Sequence, residues 1–88
     1  MRNFTELQGQ YLSFIHFYTV IHRRPPAEAD LREFFLVTAP TVHNLVLALQ
    51  SLGLIDRVPG AARSIRVLVP REDLPLLDAG PTSDTNAT

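Results

Sequence analysis

Residues 38–55 read TAPTVHNLVLALQSLGLI, and this stretch decides the fold. Thr38 is a residue type that caps helix N-termini, and Pro40 is tolerated in the first turn of a helix. Apolar residues then recur at helical spacing until Gly53, which can adopt the left-handed conformation that ends many helices. The expected buried stripe is Val42, Leu45, Val46, Leu49 and Leu52. The stretch therefore predicts an amphipathic helix over residues 39–52 and a β-strand directly behind it.

Two further helices are predicted upstream. Thr5 and Gln8 have the spacing of a capping box, in which each side chain accepts a hydrogen bond from the backbone amide of the other residue. Helical apolar spacing then continues to His22, through Leu7, Tyr11, Phe14, Ile15, Tyr18 and Ile21. The two prolines at 25–26 prevent continuation of this helix. Acidic residues follow them and suit the N-terminus of a second helix over residues 27–35.

A β-hairpin is predicted after the third helix. Residues 54–58 and 64–69 have the short alternating pattern of strands, and Pro59 and Gly60 mark the turn between them. A two-stranded hairpin is marginally stable alone, so it must pack on the helices. The predicted fold class is α+β, with three helices and a two-stranded hairpin in a single domain over residues 1–69. This order of elements is that of a winged helix-turn-helix, in which the hairpin is the wing.

Charge and composition limit the possible functions. The chain has 88 residues, a formal net charge of −1 and no cysteine, so a disulfide or a thiolate metal site is impossible. Residues 1–69 hold seven arginines against five acidic residues, whereas residues 70–88 hold one arginine against four acidic residues. We expect a mildly basic body and an extended acidic tail that is largely disordered after about residue 78. No apolar run is long enough to span a bilayer or serve as a secretion signal, so we expect no membrane partner and a cytoplasmic protein.

Catalysis finds no support in the sequence. His16 and His22 are six residues apart, which is not the spacing of a shared helical face, and His43 lies far along the chain from both. Glycine-rich phosphate loops, nucleophile elbows and zinc signatures are absent from the sequence. We therefore expect no catalytic residue, metal, cofactor or small-molecule ligand.

The arrangement of elements instead predicts a protein that reads double-stranded DNA. In a helix-turn-helix the second helix of the pair enters the major groove and its N-terminal half contacts base edges. The residues expected to face the bases are Thr41, His43, Asn44 and Leu47. The wing, over residues 58–66, is expected on the backbone or in the minor groove. The expected backbone contacts are Thr38, Arg63, Ser64 and Arg66, with Arg23, Arg24 and Arg32 as additional phosphate contacts.

Four segments resemble the DNA-binding domain of LexA-type repressors. They are residues 25–31 (PPAEADL), 40–43 (PTVH), 53–55 (GLI) and 59–66 (PGAARSIR). The resemblance implies a winged helix that regulates transcription as a repressor, in a small stand-alone form without the protease domain of those repressors. Leu36 stands where these turns usually hold glycine. This departure implies either a distorted turn or a cost of about 1 kcal/mol.

Three observations leave an alternative open. The predicted DNA-reading helix contains no lysine or arginine, although phosphate neutralisation supplies much of the affinity of DNA-binding proteins. Leu47 also lies where a base reader is usually polar, which is compatible with a protein-protein interaction module that has little DNA affinity. Phe17 and Val20 fall outside the main apolar stripe of the first helix. They indicate either loose packing or a second contact face, such as a homodimer interface.

Overall fold

The computed structural model describes residues 4–77, which form three helices and a two-stranded antiparallel sheet. The elements in chain order are α1 (Glu6–His22), α2 (Glu28–Phe35), α3 (Ala39–Ser51), β1 (Ile55–Asp56) and β2 (Arg66–Val67), followed by a short 3-10 helix at Arg71–Asp73. The α+β class, the three helices and the hairpin are therefore confirmed. The predicted disorder after about residue 78 lies outside the described residues.

Each helix begins at a cap that the local sequence supplies. Thr5 and Gln8 form the predicted capping box, with the Thr5 amide 2.9 Å from Gln8 Oε1 and the Gln8 amide 3.1 Å from Thr5 Oγ1. The N-cap of α3 is Thr38, whose hydroxyl oxygen accepts from the Thr41 amide. At α2 the N-cap residue Ala27 has no polar side chain, and its amide donates instead to Asp30 Oδ2 at 2.8 Å.

The turn between α2 and α3 is tight and uses a leucine in the left-handed conformation. Leu36 has φ 56° and ψ 49°, so the turn keeps the geometry that glycine would adopt and is not distorted. Leu36 to Thr38 are the three residues between the helices, and α3 departs from the direction of α2 by 114°. In the described part of the chain, no single helix is long and apolar enough to cross a membrane.

The core lies where all three helices and the hairpin meet. Tyr11 of α1 stacks on Phe35 of α2, with ring centroids 4.0 Å apart and an interplanar angle of 7°. The fully or almost fully buried hydrophobic residues are Tyr11, Leu12, Ile15, Leu31, Phe35, Val42, Val46, Leu49, Leu54, Ile55 and Ile65. Val67 and Val69 pack against this cluster, so alternate residues of the second strand face the core.

For three residues on the predicted apolar faces of the helices, the expected burial is wrong. Leu7, Ile21 and Leu52 are 57%, 70% and 56% exposed, respectively. On α1 the buried face is rotated toward Leu12 and Ser13, because the hairpin and the segment after it pack on that side of the helix. Those two contacts come from residues far along the chain, and helical periodicity alone cannot reveal them.

The strands are shorter than predicted because side chains replace the sheet hydrogen bonds at the turn end. Ile55 pairs with Val67, and Asp56 pairs with Arg66. Two positions closer to the turn, the Val58 amide donates to Ser64 Oγ at 2.9 Å rather than to a backbone carbonyl. Regular pairing therefore stops two residues into each strand.

Residues 70–77 return along α1. Ser13 is completely buried, and its hydroxyl donates to the Pro75 carbonyl oxygen at 2.7 Å. Gln10 Nε2 donates to the Leu76 carbonyl oxygen at 2.8 Å, while the Leu76 side chain itself is 89% exposed. Leu74 packs against the core. This segment covers the N-terminal half of α1 on the side away from α2.

Candidate nucleic-acid interface

The predicted base-reading residues lie together on the exposed side of α3. Thr41, His43, Asn44 and Leu47 are all exposed, and they lie opposite the buried residues Val42, Val46 and Leu49. Leu47 is 40% exposed, so its apolar surface is partly available. This face is uncharged except for what neighbouring elements contribute.

The N-terminus of α3 carries two threonine hydroxyls. Thr38 Oγ1 and Thr41 Oγ1 are 2.9 Å apart, and the Thr41 amide lies 3.4 Å from Thr38 Oγ1. Both side chains are exposed. A helix N-terminus carries a partial positive charge, so these hydroxyls and amides form a weakly electropositive end.

An acidic residue of α2 borders the same face. His43 Nδ1 lies 3.4 Å from both carboxylate oxygens of Glu28, and the two side chains are 52% and 37% exposed. This carboxylate adds negative charge beside the predicted base-reading face, and negative charge there opposes the approach of phosphate because like charges repel. The position of this acid next to the predicted base-contacting residues was not predicted from the sequence.

Arg63 is not displayed at the tip of the hairpin, because its side chain turns back onto the helices. Its Nη1 lies 3.1 Å from Tyr18 Oη, 3.2 Å from the Pro25 carbonyl oxygen and 3.1 Å from Asp30 Oδ2. The side chain is only 34% exposed. Its backbone is left-handed, with φ 68°. These contacts join the hairpin to the helices and engage Nη1 of the guanidinium that was predicted to contact phosphate.

The carboxylate of Asp30 is held in its ionised form by this arrangement. Burial opposes ionisation, but the Ala27 amide, the charge of Arg63 and hydrogen bonds from Tyr18 and Arg63 outweigh it. The pKa of Asp30 is consequently lowered from its ordinary value. The pair therefore remains charged throughout the neutral range.

Ser64 and Arg66, the other predicted wing contacts, occupy different positions. The Ser64 hydroxyl lies within 3.2 Å of the Val58 and Ala61 carbonyl oxygens, so it closes the turn of the hairpin. Arg66 is exposed and forms an ion pair with Asp56, with Nη2 and Oδ2 3.3 Å apart. An exposed pair of this kind contributes at most about 1 kcal/mol, so Arg66 is readily redirected to another anion.

A cleft of about 420 Å³ separates α3 from the hairpin. Its walls include His43 and Glu28 on the helical side and residues 60–65 on the hairpin side, and Arg57 also lines it. Arg57 is half-buried, and its Nε donates to Gln50 Oε1 of α3 at 3.0 Å. Arg57 was not among the residues predicted to contact DNA. The available signal was a cation directly after the strand that follows α3.

The remaining predicted phosphate contacts are exposed arginines. Arg32 of α2 borders a shallow depression together with Ala39, and so lies close to the start of α3. Arg23 and Arg24 follow the end of α1, where Arg23 adopts a left-handed conformation with φ 62°. Of these three, Arg32 is the one that the fold brings next to the α3 face.

Metal chemistry gains no candidate from the geometry. Among residues 4–77, no group of three His, Asp or Glu side chains is placed to hold an ion.

The chain was also compared with known proteins. No protein-family model and no curated protein sequence matches it.

Proposed function

We propose that this protein binds duplex DNA as a winged helix-turn-helix transcriptional regulator, with α3 in the major groove. The observation that carries the proposal is the pair α2 and α3, which meet at 114° across three residues beside a β-hairpin. Helix-turn-helix pairs cross at about 90–120° over a turn of three or four residues. The resemblance to LexA-type repressors supports the same function and favours a repressor.

The exposed side of α3 suits base contacts. Asn44 has an amide that can bond an adenine edge with both its donor and its acceptor. Thr41 can bond a base edge or contact a thymine methyl group, and Leu47 suits the same methyl group. An apolar Leu47 is therefore compatible with a major groove that presents thymine methyl groups at this position.

Backbone contacts must come from outside α3, which lacks cations. Arg57 lines the cleft between α3 and the hairpin, Arg66 is exposed on β2, and Arg32 lies near the start of α3. We propose these three arginines as the phosphate contacts. Arg63 is removed from this group because its guanidinium bonds internally.

The test is a selection for bound duplexes from a random pool, followed by affinity measurements on the selected and random sequences. Asn44→Ala should cost about 1–3 kcal/mol on the selected sequence and little on random DNA. Ser51→Ala, an exposed change near the end of α3, is the matched control and should leave both affinities unchanged. A wild-type protein that binds no duplex at low salt would overturn the proposal.

The salt dependence distinguishes backbone contacts from base contacts. Arg57→Gln and Arg66→Gln should each weaken binding to all sequences and reduce the slope of log affinity against log salt by about 0.9. Asn44→Ala should leave this slope unchanged. Equal slopes in all variants would mean that these arginines do not meet phosphates.

A protein-binding module is the second candidate, and one exposed surface favours it. Phe17, Val20 and Ile21 are 41%, 56% and 70% exposed at positions that share one side of α1. A contiguous apolar surface on a small domain often marks a contact with protein, including a second copy. Sedimentation of wild type and Phe17→Ser tests this candidate. Self-association that the substitution abolishes, together with absence of DNA binding, would support it over the first.

A further inference from the structure

The hairpin cannot fix its own orientation. Its two strands pair over only two residues each. Beyond that pairing, the loop is closed by Ser64 and by a bond from the Ala61 amide to the Val58 carbonyl oxygen. All of these bonds lie within the hairpin. They shape the wing but do not hold it at an angle to the helices.

Arg63 supplies contacts that cross from the hairpin to the helical part. Its guanidinium reaches Tyr18 on α1, the Pro25 carbonyl oxygen before α2, and Asp30 on α2. The guanidinium carbon also lies 5.9 Å from the centre of the Tyr18 ring, within the range of a cation-π contact. The left-handed backbone at Arg63 is costly for a non-glycine residue, and these contacts stabilise it.

Asp30 links the Arg63 contacts to the start of α2, the first helix of the proposed helix-turn-helix. One carboxylate oxygen, Oδ2, accepts both from the Ala27 amide at the start of α2 and from Arg63 Nη1. The start of α2 and the wing are therefore joined through a single atom. Because α2 packs on α3, this atom contributes to the position of the wing relative to α3. It acts together with the buried Ile65 and with the bond from Arg57 to Gln50 of α3.

We propose that Arg63 and Asp30 are positioning residues, which set the wing at the angle that DNA requires without contacting DNA themselves. The inference rests on the proposed function for its DNA readout. It assigns Arg63 a different task from Arg66 and Arg57, although all three are cations near the same surface.

Asp30→Asn tests whether Asp30 positions the wing or acts only through its negative charge. The two possibilities predict changes in DNA affinity of opposite sign. Removing a negative charge from a DNA-binding protein normally strengthens binding, and it would also release Arg63 toward phosphate. If Asp30 positions the wing, affinity should instead fall by about tenfold. The asparagine keeps a carbonyl oxygen for the Ala27 amide, so the start of α2 is preserved. Increased affinity in Asp30→Asn would overturn the proposal.

The salt dependence of Arg63→Gln separates positioning from phosphate contact. Arg63→Gln should lower affinity about tenfold while leaving the salt slope close to that of wild type. Combining it with Asp30→Asn should add little further loss, because both changes weaken the same charged contact. A drop of about 0.9 in slope would identify a phosphate contact instead.

A measurement without DNA keeps the inference testable if no duplex binds. The chain has no cysteine, so Ala61→Cys at the exposed wing tip accepts a single nitroxide label. Relaxation enhancement at the amides of α2 should change in Asp30→Asn and Arg63→Gln and stay unchanged in Arg66→Gln, at a temperature where melting curves show all variants folded. Tyr18→Phe, which deletes one acceptor, should give a smaller change of the same kind. Identical enhancement in all variants would overturn the positioning role even if DNA binding is established.

Discussion

Leu36 stores backbone strain at the turn that orients α3. Its φ of 56° places a side chain where L-residues lose about 1–2 kcal/mol. The leucine side chain is 66% exposed, so burial offsets little of that cost. The resemblance to glycine-containing turns pointed to this position from sequence, and the physical reason is the backbone conformation that the turn imposes.

Leu36→Gly should therefore stabilise the protein. We expect the free energy of unfolding to rise by about 1 kcal/mol, because glycine adopts this conformation without strain. Urea denaturation measures the change. Leu36→Ala is the control, since it retains the strain and loses only an exposed side chain, and it should differ little from wild type. A less stable Leu36→Gly protein would show that the leucine side chain packs usefully in solution.

Asp30 should make stability depend on pH in the acid range. Since its pKa is lower in the folded protein, its ionised form stabilises the fold above the unfolded pKa of about 4. That stabilisation is lost as the pH falls through the still lower folded pKa. The stability difference between wild type and Asp30→Asn should thus be larger at pH 7 than at pH 3, by urea denaturation at each pH. A difference that does not vary with pH would contradict the lowered pKa.

At the scale of elements, α1 is covered on two sides, and its second cover comes from the segment after the hairpin. A Cβ atom added to Gly9 would lie 2.9 Å from both Phe4 Cε1 and Pro75 Cγ, which is too close for ordinary contact. Ser13, one turn further along, is bonded to the same segment. The close approach of residues 70–77 therefore depends on small residues at these two positions.

Gly9→Ala should destabilise the protein despite the better helix propensity of alanine. In an open helix this change would gain about 1 kcal/mol. Here we expect a loss, because Pro75 and Phe4 must move away from the new methyl group. Pro75→Ala in the same chain should recover part of that loss, and thermal unfolding measures both variants. Stabilisation by Gly9→Ala alone would mean that residues 70–77 do not pack on α1.

Which elements exist was predictable from sequence, because their signals are local. Thr5 and Thr38 mark the starts of α1 and α3. The prolines at 25–26 separate α1 from α2, and the turn at Gly60 separates the two strands. The exposed face of α3 followed from periodicity in the same way. What could not be predicted depends on distant partners. Arg63 contacts residues 33 to 45 positions away, and neither its direction nor the Asp30 pair leaves a trace in local sequence.

For the molecule as a whole, the small excess of positive charge limits the DNA affinity that the proposed function can have. Seven arginines face five acidic residues in positions 1–69, and one of those arginines, Arg63, is committed internally. With Arg32, Arg57 and Arg66 as phosphate contacts, log affinity should fall with log salt at a slope of about −3 per bound chain. Fluorescence anisotropy over a salt series measures it. A slope near −8 would require many phosphate contacts that this surface does not offer.

The shared oxygen of Asp30 also bears on how this fold could be re-engineered. A hairpin held only by its own strands could be exchanged for another of equal length. The hairpin of this protein is hydrogen-bonded to Tyr18, Pro25 and Asp30 through the guanidinium of Arg63. If residues 57–66 were grafted onto three different helices, Arg63 would therefore lack its hydrogen-bond acceptors. The transferable module is the hairpin together with the end of α1 and the first turn of α2.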